Sequence, residues 1–202
     1  MANDTGAFGL RPIRNRDGNP YNGAVEKCYV SSSYATALFV GMPVQIDGET
    51  DNIDPTGHHV TVEVVDNVAA GVYYGVIVGI EPIQTDLNKT YIPASTGGYV
   101  YVATGKNTVF LVRGDGGASA VTDIGLNAPL VATAAGSTAT GLCGWHLAQA
   151  SIAVTQALPL TIIGIHQRED NIAGVNALYE VVLNTGFPAL AAGDFLGIAV
   201  ST

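Results

Sequence analysis

Chemistry in this chain would have to be built from few parts: His58, His59, His146 and His166, plus Cys28 and Cys143. His58-His59 sits beside Asp51 and Asp54 in "DNIDPTGHHV". Imidazole with carboxylate is a metal-ligating combination. Adjacent strand residues point to opposite faces, so the pair reads as a solvated loop before it reads as an ion site. His166 precedes Gln-Arg-Glu-Asp after an apolar run, the pattern of a hairpin end with mutual charge pairing. There is no Gly-x-Ser-x-Gly, and neither cysteine has a nucleophile's context. "ATGKNT" (103–108) echoes a phosphate-binding loop only in Gly105-Lys106. Val100 stands where the first glycine is required, and Asn107 where Ser or Thr is. "GDGG" (114–117) could cradle an anion with its backbone, but a turn between strands is the commoner use. "RGD" (113–115), a tripeptide that some cell-surface receptors read, likewise reads as a strand end and its turn. An enzyme shows a convergent polar constellation. Finding none, we expect a non-enzyme with no catalytic residue, no metal and no cofactor.

The elements that would position any site read as strand after strand. "VEKCYV" (25–30), "ALFVGMPVQI" (37–46), "HVTVEVV" (59–65), "GVYYGVIVGI" (71–80), "YVYVA" (99–103) and "TVFLVR" (108–113) are short and rich in Val, Ile, Thr and Tyr. "LTIIGIH" (160–166), "ALYEVVL" (177–183) and a closing "FLGIAV" (195–200) continue the series. Gly41 and Pro43 predict a bend within their run. In 59–65, Val60, Val62 and Val64 share one face. Gly71, Gly75 and Gly79 have a helix-packing spacing, but their neighbours are strand formers, so strand is expected. Residues 99–103 and 108–113 are expected to pair through a tight turn at Lys106-Asn107, and 160–166 to pair with 177–183. The segment 114–158 is almost uncharged and rich in Ala, Gly, Ser and Thr. It reads as a long insertion or as irregular strands packed through small side chains, with a short helix in "WHLAQASIA". Leu130, Val131, Leu142, Trp145 and Leu147 within it want burial, so it is no interdomain linker. The expected fold is all-β, a barrel or sandwich of short, mostly antiparallel strands. Residues 1–24, with Gly6, Gly9, Pro12, Gly18, Pro20 and Gly23 and no period, are expected to be an extended N-terminal arm with two turns. Residues 25–202 are expected to form one domain.

The 202 residues are 48% hydrophobic and 12% charged, about half the usual charged share. The chain can bury a sizeable core and has little charge left for its surface, a composition suited to contact with copies or partners. Net charge is −9, which argues against nucleic acid as a partner. The charge is uneven: residues 1–27 hold four basic and three acidic residues, the remainder four basic and 14 acidic. A cationic leading segment thus precedes an acidic body. Two distant cysteines make no disulfide framework and read as free buried thiols of a protein made in a reducing cytoplasm. No signal-peptide pattern opens the chain and no apolar run is long enough to span a membrane.

Three stretches together resemble one family. They are "GLRPIRNRDGNPYNG", "ATALFVGMPVQI" and "YYGVIVGIEPI…NKTYIPASTGGYVYVA". They are similar to a family of tailed-bacteriophage virion proteins, structural in character and in some members capsid decoration (cement) proteins. The resemblance covers roughly residues 8–113 and carries no active site. It implies a virion component on the outer capsid surface, made in the host bacterial cytoplasm. Its partners would be the major capsid protein and neighbouring copies of itself, as dimer or trimer, with no nucleic acid and no membrane. On that footing Arg11, Arg14 and Arg16 are candidate interface residues, pairing with carboxylates on the lattice or on a neighbouring copy. Pro12 and Pro20 would hold the arm's course and Tyr21 would anchor it. The competing expectation is an arm folded back on its own body with solvated arginines. Other function classes are a carbohydrate-binding or adhesin-like β module, carried by exposed members of Tyr73-Tyr74 and Tyr99-Tyr101, a tail or head–tail junction protein, and a small β-barrel enzyme.

Overall fold

β-Branched and aromatic runs punctuated by glycine and proline become strands because their side chains pack on a pleated surface and their breakers cannot extend the ladder. The computed structural model describes residues 3, 5–48, 54–69, 71–84, 86–104 and 107–184. The strands are β1 (Arg11–Asn15), β2 (Glu26–Val30), β3 (Pro43–Ile46), β4 (Val62–Val64), β5 (Gly75–Ile80) and β6 (Gly98–Ala103). They continue with β7 (Thr108–Arg113), β8 (Asn127–Ala128), β9 (Leu130–Val131), β10 (His146–Leu147), β11 (Leu160–Ile165) and β12 (Leu178–Leu183). One five-stranded sheet runs β1-β7-β12-β11-β8 and the other β2-β6-β5-β3-β4; β10-β9 is a separate ribbon. Every strand pair is antiparallel. The fold is all-β, a sandwich rather than a closed barrel. Among the described residues, the outer strands of the second sheet are joined by one parallel bridge, Tyr29–Thr61.

Alternation buries one face of each sheet between the layers. Val76, Val100 and Val102 from one sheet meet Phe110, Val112, Ile162, Tyr179 and Val181 from the other in a single cluster. Val62 and Val64 point into it and Glu63 does not. The glycine-spaced run is strand from Gly75 to Ile80, and β11 pairs with β12. Gly41 provides the expected bend, in a turn closed by Met42 N donating to Phe39 O at 3.2 Å.

Three expectations are corrected. First, β6 and β7 do not form a hairpin: β6 lies between β2 and β5, and β7 between β1 and β12. All six residues of β7 are buried, so it needs neighbours on both edges, and the connection crosses between the layers. Of the expected turn, Asn107 is described and Lys106 lies outside the described residues, as does "FLGIAV" (195–200). Second, 114–158 is no insertion standing apart. It supplies β8 to a sheet, forms the β9–β10 ribbon, and buries Leu130, Trp145 and Leu147. The expected helix is a single three-residue 3-10 turn, Gln149–Ser151. Third, the leading segment is not an extended arm. Arg11–Asn15 is an edge strand paired with β7, and Leu10 is in the core. An edge position is where a strand tolerates a proline such as Pro12.

Candidate interaction surface

The leading segment is stitched to the body along its length. Asn3 Nδ2 donates to the carbonyls of Ile172 and Val175 at 3.0 and 2.8 Å, and its Oδ1 accepts from Ile172 N. Arg113 Nε donates to Gly6 O at 2.8 Å. The Phe8 ring lies beneath two guanidinium groups, Arg11 at 4.9 Å and Arg113 at 5.8 Å. Gly9 then crosses Gly41 backbone to backbone, and Leu10 N donates to Gly41 O at 2.9 Å. Further on, Arg14 spans β7 to reach Glu180 on β12, Nη2 to Oε2 at 2.7 Å. The other Glu180 oxygen meets His166 Nδ1 at 2.9 Å.

Beyond β1 the chain turns on its Asp-Gly. Asn15 N donates to Asn19 O, Gly18 N to Asn15 O and Asn19 N to Asp17 Oδ1, and Pro20 bridges back to Arg14. The Asn-Gly turn is closed by Tyr21 OH donating to Ala24 O at 3.0 Å. Of the six candidate interface residues, Pro12 is half-buried in β1, Arg14 is committed to Glu180, and Arg11 is exposed but covers Phe8. Tyr21 is half-buried; Arg16 and Pro20 are exposed. Within 16–25 every residue but Tyr21 is exposed; Tyr21 packs against the core and Arg16 N donates to Asn107 O at 2.7 Å.

No family model, curated protein or solved structure matches this chain.

A cleft of about 350 Å³ lies beside Arg14, His166 and Glu180, completed by Gly164, Ile165 and Gln167. A carboxylate-bound imidazole is half of an acid–base apparatus. No residue lining this cleft carries a hydroxyl or thiol to act as nucleophile. The pairing expected at this hairpin end is present as Arg168–Asp170 at 2.9 Å; His166 instead joins Glu180, a residue the sequence did not point to, together with Arg14, which was expected at an interface. A lone carboxylate inside "ALYEVVL" was the available signal. A second cleft, about 450 Å³, is lined by Lys27, Glu81, Gln84, Thr96 and Tyr99 among others. Lys27 Nζ sits 2.7 Å from Glu81 and 4.2 Å over the Tyr99 ring. That ammonium occupies a face a sugar would need for stacking. Tyr73 and Tyr74 are buried, and Tyr99 and Tyr101 half-buried, so none is an open platform.

His58 and His59 do associate with Asp54, but through their backbones. Their N–H groups donate to Asp54 Oδ2 at 3.2 and 3.0 Å. Thr56 N, Thr56 Oγ1 and Tyr99 OH complete the shell of this buried carboxylate. Among the described residues no three His, Cys, Asp or Glu side chains converge to hold a metal, and no helix is long and apolar enough to cross a membrane. His146 Nδ1 meets Thr133 Oγ1 at 2.9 Å. In "RGD", Arg113 is buried, Gly114 N donates to Ala177 O and Asp115 N to Leu147 O, so the tripeptide is the strand end and turn expected. The "GDGG" amides are consumed internally, Gly116 N by Gln149 Oε1 and Gly117 N by Asp115 Oδ1.

These networks give the fold an acid sensitivity. Burial is the largest single influence on Glu180 and raises its pKa, but the hydrogen bonds and charges of His166 and Arg14 outweigh it and hold the carboxyl below its ordinary range. Asp54 follows the same logic: burial raises its pKa, while the bonds from Thr56, Tyr99 and His58 together hold it well below the usual range. A carboxylate depressed in the native state stabilises fully above its unfolded pKa, about 4, and loses that contribution as pH falls through the native value. Thermal melts from pH 7 to pH 3 should therefore show a falling midpoint. Glu180→Gln should lower the stability at pH 7 by on the order of 1–2 kcal/mol and flatten part of the acid fall. An unchanged slope would show that Glu180 carries none of it.

Burial pushes the Cys28 and Cys143 thiols up to about 12. Neither is in a disulfide. Both should resist an aromatic disulfide reagent at pH 8 and react together on denaturation. Fast labelling of either in the native protein would contradict this burial.

Proposed function

We propose that this protein is a structural component of a tailed-bacteriophage virion, a capsid decoration protein that binds the outer capsid surface and stabilises contacts between capsomers. The observation that carries the reading is the exposed stretch 16–25 beside β1, electrically neutral with Arg16 against Asp17, on a chain whose remainder is strongly acidic. Polar groups of the body are spent on one another: Arg14 on Glu180, Asp54 on its own turn, and Gln149 on the turn after β7. Such a body is suited to bearing load, and many copies acting together need only modest affinity per contact. The resemblance of 8–113 to virion proteins points the same way. A cytoplasmic site of synthesis agrees with the two free thiols.

The test is co-sedimentation of the purified protein with capsids assembled without it, followed by thermal rupture of the decorated shells. Saturable pelleting and a higher rupture temperature are expected; protein left wholly in the supernatant would end the reading. Deleting residues 2–20 is not a usable control, because it removes β1, Phe8 and Leu10 and is expected to unfold the chain.

A further inference from the structure

We propose that Asn22-Gly23 is a self-modifying site: in the folded protein the Gly23 amide attacks the Asn22 side chain, ammonia leaves, and water opens the succinimide so formed to isoaspartate or aspartate. The reaction stands apart from the decoration reading; only its effect on capsid binding, given last, rests on that reading.

The chemistry needs three things at once. An asparagine side chain must be free to turn its amide carbon toward the next backbone nitrogen. That nitrogen must not be donating its hydrogen elsewhere. The residue that carries it must leave the approach open, as glycine does for want of a Cβ. Asn22-Gly23 is the one Asn-Gly pair in the 202 residues. Both residues are exposed and lie outside any strand. Among the described residues, nothing hydrogen-bonds the Asn22 side chain or the Gly23 N–H. Even a Cβ built on Gly23 would meet nothing within 4 Å. The turn is closed by Tyr21 OH on Ala24 O, a bond that uses neither reacting group.

Other asparagines and turn glycines of the chain lack one requirement or another. Arg16 N, after Asn15, donates to Asn107 O at 2.7 Å, and Lys89 N, after Asn88, to Asp86 O at 3.2 Å. Asn19 precedes Pro20, which has no N–H to give up. In the Asp-Gly turns, Gly18 N donates to Asn15 O and Gly116 N to Gln149 Oε1. An ionised carboxylate is in any case a far poorer electrophile than an amide. A motif count alone would mark the pair; the free amide is what the fold adds.

The Gly23 nitrogen loses its proton to solvent base and bonds to Asn22 Cγ. The Cγ–Nδ2 bond breaks, and Nδ2 takes a proton and departs as ammonia. Water then adds to one ring carbonyl. Breaking the Cγ–N bond gives aspartate; breaking the bond from the backbone carbonyl carbon gives isoaspartate, whose main chain runs through Cγ and is one carbon longer. Stretch 16–25 is neutral, Arg16 against Asp17, so the new carboxylate makes it anionic like the rest of the chain. The core stays intact, because Tyr21 anchors the chain before the site and β2 begins at Glu26 after it.

The experiment holds the folded full chain at about pH 8 for days and maps its peptides by mass. A one-dalton gain confined to the Asn22 peptide is expected, with hydroxylamine cutting the chain between residues 22 and 23 where the ring has formed. The rate should rise with pH. It should lie within about threefold of the rate in the urea-unfolded chain, because an unbonded loop needs no opening. Asn22→Gln should abolish the reaction, and Gly23→Ala should slow it at least tenfold, with thermal melts confirming that both are folded. An intact Asn22, a folded rate far below the unfolded one, or a gain spread evenly over the asparagines would overturn the proposal. Aged protein and Asn22→Asp should then pellet with capsids less than fresh protein, since the added charge opposes lattice carboxylates. Deamidation with undiminished pelleting keeps the reaction and removes 16–25 as the contact; fresh protein that never pellets ends the decoration reading and leaves the reaction standing.

Discussion

Gly9→Ala is expected to lift the leading segment off the body and to expose Cys143 while Cys28 stays protected. A Cβ at residue 9 would sit 2.3 Å from Gly41 O and 2.8 Å from Cys143 Cβ. Backbone on one side and a buried side chain on the other leave nothing able to give. The φ of +67° at Gly9 adds strain for any residue with a side chain. Strain and overlap together should cost about 3 kcal/mol or more. The loss falls first on residues 3–15, because the anchors at Asn3, Gly6 O and Leu10 N flank that crossing on both sides. Timed thiol labelling separates the outcomes. Selective reaction of Cys143 means local release; simultaneous reaction of both thiols means global unfolding. Wild-type protection of both, with an unchanged melting midpoint, would refute the close crossing.

The same crossing shows why the leading segment was misread from sequence. Strand signals are local: an alternation of apolar and polar residues over several positions. β1 reads "RPIRN", where two arginines and a proline mask the pattern. It is a strand because β7 is buried on both faces and requires a neighbour, a demand set by residues a hundred positions away. The β11–β12 hairpin was legible because its two partners are near in sequence and both strongly β-forming. The β6–β7 pairing failed for the converse reason. Proximity and a glycine turn suggested a hairpin, but layer topology decided otherwise. The candidate site was legible in part. Turns at Asp17-Gly18 and Asn22-Gly23 follow from composition, and Arg16 and Pro20 do face outward. That Arg14 is spent on Glu180 depends on a partner 166 positions away, which no spacing in one sequence reports.

Gln149→Leu is expected to destabilise the protein by about 3 kcal/mol, since each buried polar group left unpaired costs roughly 1–3 kcal/mol. For a chain of this size that is a fall of about 6–12 °C in the melting midpoint. Gln149 is buried, and its amide makes three bonds. Nε2 donates to Gly174 O at 3.0 Å and to Tyr179 OH at 2.9 Å, and Oε1 accepts from Gly116 N at 3.1 Å. One side chain thus joins the turn after β7, the β11–β12 hairpin and β12 itself. It also explains Gly114 and Gly117 of "GDGG", Gly116 being set apart by its φ of +96°. A Cβ at Gly114 would lie 2.3 Å from Gln149 Cδ, and one at Gly117 2.9 Å from Gln149 Cβ. An unbonded glutamine would swing aside cheaply, but this one is held by its three bonds. Gly114→Ala should therefore be costly in the wild type and nearly free once Gln149 is alanine. In a double-mutant cycle the two losses should fall short of additivity by more than about 1 kcal/mol. Strict additivity within about 0.5 kcal/mol would mean that the glycines serve the turn's backbone rather than the passage of Gln149.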